Sequence, residues 1–202
     1  MKINYQLLCD KQIEKMTENG IKPKLLLQSC CGPCSTYVLE YLTRYFDITV
    51  LFYNPNIYPK EEYEKRLTAQ KTAILKTESE ISVKLIDLTY NYGEFLQKVT
   101  GFEQEREGGA RCEKCFRLRM EKTAVQAKKL GFDCFATTLS VSPHKNAELL
   151  NNIGKELSEK YDIPYLVADF KKREGYKRSV ELSKEFDLYR QEYCGCEFSM
   201  QR

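Results

Sequence analysis

Five short apolar runs, separated by longer stretches of helical periodicity, constrain this chain more than any other feature. The runs are Lys24 to Gln28 (KLLLQ), Ile48 to Tyr53 (ITVLFY), Ile81 to Ile86 (ISVKLI), Phe132 to Thr137 (FDCFAT) and Ile163 to Ala168 (IPYLVA), each the length of a strand. Between them, Cys34 to Phe46, Lys60 to Lys76, Phe116 to Leu130 and Lys145 to Tyr161 carry apolar residues at a 3.6-residue period. Strands that alternate with helices return to one sheet through right-handed crossovers, so the order predicts a mostly parallel sheet with helices on both faces. The expected fold is α/β, a Rossmann-like (HUP-like) three-layer sandwich. Helix-start signals agree: Pro59 precedes the acidic turn of Glu61 and Glu62, and Ser142-Pro143 precedes the fourth helical stretch. At 202 residues with 42% hydrophobic content, one core can serve the whole chain. Residues 1–202 are therefore expected to form a single α/β domain, with the functional loops at the carboxyl ends of the strands.

Cysteine is the outlying residue type, with nine thiols against a single histidine, His144. The N-terminal stretch has no apolar core of the kind a signal peptide needs, and no apolar run reaches the ~18 residues of a membrane span. The expected location is cytoplasmic, with no membrane partner. In a reducing cytosol, clustered cysteines point to metal ligation or thiol redox chemistry rather than to a disulfide scaffold. Cys9 and Cys134 stand alone in helical and strand-like patterns and read as small core hydrophobes. The net charge of +3 is too small to imply a polyanionic partner by itself.

The other seven cysteines fall in three groups. QSCCGPCS places Cys30 and Cys31 directly after the first strand and Cys34 at the start of a helix, where free backbone N–H groups favour thiolates. RCEKCF places Cys112 and Cys115 three apart behind the Gly108-Gly109 loop, a spacing shared by zinc, iron-sulfur and dithiol sites. YCGCEF places Cys194 and Cys196 around one glycine, a pair suited either to redox cycling or to metal binding. Roughly eighty residues separate successive groups, so only the fold can assemble them, unlike the compact knuckles of structural zinc sites. An all-thiolate ligand set suits iron-sulfur chemistry, and four thiols satisfy one 4Fe-4S cluster.

Several longer stretches carry a resemblance: LLLQSCCGPCS, FYNPNIYPKEEYEKR, EREGGARCEKCFRLRMEKTA, TTLSVSPHKN and FKKREGYKRSVELSKEFDLYRQEYCGCEFS. On these the chain resembles the epoxyqueuosine reductase QueH family over nearly its full length. The resemblance implies reduction of epoxyqueuosine to queuosine at the wobble position of tRNA, the last step of queuosine biosynthesis, by an iron-sulfur-dependent, cobalamin-independent oxidoreductase. It implies Cys30, Cys31, Cys112 and Cys115 as ligands of a 4Fe-4S cluster, and Cys194 with Cys196 as a redox pair or the ligands of an additional mononuclear iron. Cys34 stands at a position held in the family by Cys or a carboxylate, which implies an auxiliary ligand. Gln28 departs from the family pattern, which often has His there.

Converting an epoxide to an alkene takes two electrons and two protons and releases water. A one-electron cluster then needs successive deliveries from an external electron donor or a neighbouring two-electron store. With one imidazole in the chain, protons must come from Tyr, Lys, a carboxylate or water, and Tyr189, shortly before Cys194, is a catalytic candidate. For tRNA, the run FKKREGYKRS sets Lys171, Lys172, Arg173, Lys177 and Arg178 beside Tyr176, combining phosphate-pairing cations with a stackable ring. Arg111 and Arg190 join these as tRNA-binding candidates, and Arg111, Arg117, Arg119 and Arg190 also carry charge that would balance a thiolate-ligated cluster. Three other functions compete, one of them a simple dithiol oxidoreductase that works without any metal. A nucleotide-activating tRNA modification enzyme would need an SGGxDS-like phosphate loop where this chain has QSCCGPCS, and a non-catalytic zinc-stabilised RNA-binding module would contain zinc in place of iron.

Overall fold

The computed structural model describes residues 3–200. In chain order the elements are α1 (Tyr5–Thr17), β1 (Lys24–Gln28), α2 (Gly32–Leu42), β2 (Asp47–Phe52), α3 (Lys60–Lys76), β3 (Lys84–Asp87), α4 (Tyr92–Val99), α5 (Ala110–Leu130), β4 (Cys134–Thr137), α6 (Ala147–Tyr161) and α7 (Gly175–Glu185), with 3-10 turns at Thr138–Val141 and Glu197–Ser199. The four strands pair in the order β3-β2-β1-β4, every pair parallel. The α/β sandwich expected from the sequence is the fold observed.

Central strand β1 shows why there are three layers. Leu25, Leu26 and Leu27 are all fully buried, and alternate side chains leave opposite faces of a strand. Leu25 and Leu27 pack with Val38, Leu39 and Leu42 of α2 and with Cys9 and Ile13 of α1. Leu26 packs on the other face with Phe116 and Met120 of α5 and Leu150 and Ile153 of α6. The sheet carries helices on both sides, and its carboxyl edge is left to the loops.

Two of the five apolar runs behave differently from expectation. The Ile81–Ile86 run enters the sheet only from Lys84, and Ile81 is exposed. The Ile163–Ala168 run makes a single parallel bridge, Phe135 with Tyr165, in place of a fifth strand. Pro164 has no N–H to give, and side chains take up the neighbouring backbone groups: Val167 N donates to Gln12 Oε1 (2.9 Å), Ala168 N to Asn151 Oδ1 (3.0 Å), and Tyr165 O accepts from Gln12 Nε2 (3.3 Å). Helix α6 begins at Ala147 rather than Lys145 because the Asn146 side chain caps it, accepting from Glu148 N and Leu149 N. Helix α5 starts six residues before the periodic stretch, so Cys112 and Cys115 sit within its first two turns.

Candidate metal centre

A buried amide organises the end of β1. Gln28 Nε2 donates to Asn54 Oδ1 (3.2 Å) and its Oε1 accepts from Thr137 Oγ1 (2.8 Å), joining the carboxyl ends of β1, β2 and β4. Asn54 Nδ2 in turn donates to Ser29 O (2.8 Å), and Ser29 Oγ donates to Gln70 Oε1 (2.6 Å) on α3. The loop that follows is fixed on both sides before it delivers its cysteines. Gly32 completes the turn, because a Cβ there would stand 2.4 Å from Ala69 O and only glycine lets α2 begin against α3.

Cys31 then caps α2, its Sγ accepting from Cys34 N at 3.4 Å. Cys30, Cys31 and Cys34 place their sulfurs within 4.8 Å of one another, with Cys30 to Cys31 at 3.8 Å and Cys31 to Cys34 at 2.7 Å. Contacts with the Cys31 and Cys34 thiols hold the Cys30 pKa well below the ordinary thiol value, and Lys145 and Arg119 lower it further against the cost of burial. Burial pushes Cys31 up to about 12, and the neighbouring sulfurs push Cys34 up. The three thiols share one readily formed negative charge, as closely coupled groups do.

The second and third cysteine groups come together around the start of α5. Cys112 Sγ accepts from Gly108 N (3.2 Å), and Cys115 is buried with Cys196, Phe95 and Val99. Burial raises Cys112 and Cys115, the latter to about 12, and Cys194 and Cys196 raise both further. The C-terminal strap carrying Cys194 and Cys196 is pinned by Arg66 of α3. Its Nη1 donates to Cys194 O (3.0 Å), its Nη2 to Tyr193 O (3.1 Å) and its Nε to Glu62 Oε1 (2.7 Å). Gly195 passes this guanidinium at φ +125, a conformation that favours glycine, and Gln191 Nε2 reaches back to Cys31 Sγ (3.1 Å).

A cavity of about 890 Å³ opens over this edge of the sheet, with Cys30, Cys34 and Cys194 in its wall beside Arg66, Arg119 and Lys145. Burial opposes the Lys145 ammonium, but the Cys194, Cys30 and Cys34 sulfurs together outweigh it and hold its pKa above the ordinary lysine value. Arg119 is 2% exposed, and among the described residues its Nη2 has no hydrogen-bond partner.

Other candidates read from the sequence are placed as follows. Tyr189 lies outside the cavity wall and donates to Glu62 Oε2 (2.6 Å), so it braces the carboxylate that holds Arg66. Arg111 is buried and donates to Glu103 O (2.7 Å) and Glu105 O, tying down the glycine-rich loop, which takes it off the surface a polyanion would meet. Lys171 pairs with Asp169 and Arg178 with Glu40, while Lys177 is 3.7 Å from Glu174. Lys172 is exposed. Tyr176 and Arg190 line the cavity mouth together, the guanidinium 6.0 Å from the ring centre. Arg66, Lys145 and Gln191 escaped the sequence reading. Nothing in the period of α3 separates the buried Glu62–Arg66 pair from the exposed Lys60–Glu64 pair two residues earlier.

The donors fit a metal. Two thiolates on one tetrahedral ion with metal–sulfur bonds of about 2.3 Å stand about 3.8 Å apart, the spacing of Cys30 and Cys31. A guanidinium donor left without a partner in a buried wall is expensive unless an anionic group meets it, and a thiolate-ligated metal group is anionic.

Fold and site together define a thiol-centred α/β protein with a site fit to hold a metal. Residues 25–202 match the family model described as epoxyqueuosine reductase QueH. The chain belongs to that family. It is 44% identical to the epoxyqueuosine reductase QueH of Streptococcus pyogenes serotype M1 over 98% of this chain and 78% of that protein. Identity to the Staphylococcus epidermidis protein of the same name is 43%, over 98% of this chain and 85% of that one. For the Thermotoga maritima protein it is 38%, over 87% of this chain and 90% of that one. Among the described residues, no helix is long and apolar enough to cross a membrane.

Proposed function

We propose that this chain reduces epoxyqueuosine to queuosine in tRNA, in the cytoplasm, with an iron-sulfur group held by its clustered thiols and electrons from an external donor. One observation carries the reading: Cys30 and Cys34 from one stretch and Cys194 from another line one cationic cavity at the carboxyl edge of the sheet, with Cys115 and Cys196 packed together nearby, in a chain whose near-full-length relatives are named for this reduction. In the reaction both C–O bonds of the epoxide break and a C=C bond forms. Two electrons and two protons enter, and the oxygen leaves as water.

Cys30, Cys31, Cys112 and Cys115 are the proposed ligands of a 4Fe-4S cluster. Cys34, the closest sulfur neighbour of Cys31, is the auxiliary ligand, and Cys194 with Cys196 form a redox pair or hold an additional mononuclear iron. When bound, the iron-sulfur group supplies single electrons at low potential. Cys194 and Cys196 complete the pair count: closing their disulfide releases two electrons and two protons, and the external donor reopens it. Arg66 holds that strap over the cavity, and Gln191 ties it to Cys31. Lys145 presents an N–H donor into the cavity, where the departing oxygen must be hydrogen-bonded. At the mouth, Tyr176 and Arg190 form a surface on which a splayed anticodon base stacks, and Lys172 and Lys177 meet phosphates.

The test is anaerobic reconstitution with iron and sulfide, followed by incubation with a one-electron reductant and epoxyqueuosine-containing tRNA and mass spectrometry of the nucleosides. Queuosine formation that depends on the added iron supports the reading. Full iron and sulfide incorporation with no loss of the epoxide oxygen would sink the substrate assignment.

A further inference from the structure

Four arginines lie close in sequence to the cysteines, and the structure separates them. Arg117 pairs with Glu156 (2.8 Å) and Glu113 (3.8 Å) on the outer surface of α5 and α6. Arg111 is taken up by the carbonyls of the glycine-rich loop, and Arg190 sits at the cavity mouth against Tyr176. Arg119 alone of these combines burial with a wall position in the cavity. It lies seven residues after Cys112 and four after Cys115, so one face of α5 presents all three. Its Nε donates to Cys115 O (3.3 Å), yet Nη2 has no partner, and no carboxylate is paired with the guanidinium among the described residues.

Such a cation is costly. Removing a charge from water costs several kcal/mol after relaxation, and the usual remedy is an opposite charge with good hydrogen bonds. Cys30 and Cys194 share the cavity wall with Arg119, together with Glu107 and Glu192, and Cys112 and Cys115 lie on its own face of α5; thiols that hold a metal are deprotonated and would supply the opposite charge. A guanidinium cannot shed its proton to escape burial, so it remains a fixed positive charge in the wall that Cys30, Cys34 and Cys194 also line.

We propose that the fixed charge of Arg119 positions and tunes the metal–thiolate group: it offsets that group's negative charge and raises its reduction potential, so that the group accepts an electron the bare thiolates would disfavour. This inference rests on the metal reading given above. Its physical basis is that adding one electron makes the group more negative by one unit, and a nearby buried positive charge stabilises the reduced state more than the oxidised one. No bond is made or broken in that step.

The test compares full-length wild type, Arg119→Met and Arg119→Lys after anaerobic reconstitution. Iron and sulfide content are measured first, and then the midpoint potential by titration with dithionite followed by absorbance and electron paramagnetic resonance. In Arg119→Met the reduction equilibrium is expected to shift at least tenfold toward the oxidised state, about 59 mV for a one-electron couple, with Arg119→Lys recovering most of the shift. Equal potentials in wild type and Arg119→Met at full iron content overturn the inference and leave the metal reading intact. Failure of the wild type to take up iron and sulfide overturns both. Should Arg119→Met fold but not retain the metal, the lysine variant decides: recovered content and potential support the charge, and the same loss in a folded Arg119→Lys protein overturns it.

Discussion

Cysteine occupies two regions of this molecule that share a residue type and little else. Cys9 and Cys134 lie in the apolar layer between the sheet and helices α1 and α2, fully buried among Ile13, Leu25 and Val38. Burial pushes Cys9 up to about 12 and raises Cys134 as well, so both remain neutral thiols that pack as small hydrophobes. Five of the seven thiols at the carboxyl edge are nearly as buried, Cys34 and Cys194 being half-buried, yet as a group they meet helix N-termini, Arg119, Lys145 and one another, and Cys30 is driven toward the thiolate. Burial alone thus decides nothing about a cysteine. What separates structure from chemistry is the presence of a charge partner in a wall that a ligand can reach.

The largest expected effect breaks the edge region at its ligands. Cys112→Ser is expected to reduce turnover by roughly a thousandfold or more, as when one member of a group acting as a unit is lost. Iron content measured on the same sample should fall with it. Retained activity would remove the first α5 cysteine from the site.

Arg66→Met comes next. Removing one partner of the buried pair leaves Glu62 uncompensated, at a cost of about 3 kcal/mol in denaturant unfolding. It also frees the strap, so Cys194 should alkylate faster than in wild type while turnover falls roughly tenfold. A half-exposed pair provides the contrast: Glu40→Gln, facing Arg178, is expected to cost about 1 kcal/mol or less. Equal costs would mean that Arg66 is no more than a surface pair.

Surface cations give a smaller effect. Lys172→Ala should weaken tRNA binding severalfold and reduce the dependence of log affinity on log salt by about one unit per lost phosphate contact. Arg178→Ala, whose side chain is already held by Glu40, should change the salt slope less. The opposite ranking would relocate the tRNA path to the α2 side of α7.

The alternation of strand and helix made the sandwich legible from sequence, because each apolar run had the length and composition of a strand buried on both faces. The exceptions have local causes. Gln12 and Asn151 supply side-chain hydrogen bonds to the Ile163–Ala168 run, and no periodicity announces that a distant amide will replace a strand. The cysteine groups were equally legible, since their clustering needs no geometry to notice. What could not be read was which cations face them. Arg111, Arg117, Arg119 and Arg190 look alike in a sequence, and the rotation of α5 and the path of the loop before it decide that Arg111 meets carbonyls, Arg117 meets carboxylates and Arg119 meets sulfur.

The smallest expected effect falls in the core region and carries the comparison's control. Cys134 sits on β4 opposite Leu25 in the register, fully buried, on the strand whose far end delivers Thr137 to Gln28. Cys134→Ala removes one sulfur from an apolar layer, a loss of about 1 kcal/mol in unfolding free energy. Turnover should stay within twofold of wild type and iron content should be unchanged, because no charge is displaced and the backbone hydrogen bonds of the strand remain. An activity loss as large as that of Cys112→Ser would show that position on the sheet, rather than a charge partner in the cavity wall, marks the functional thiols, and the division between the two regions would have to be redrawn.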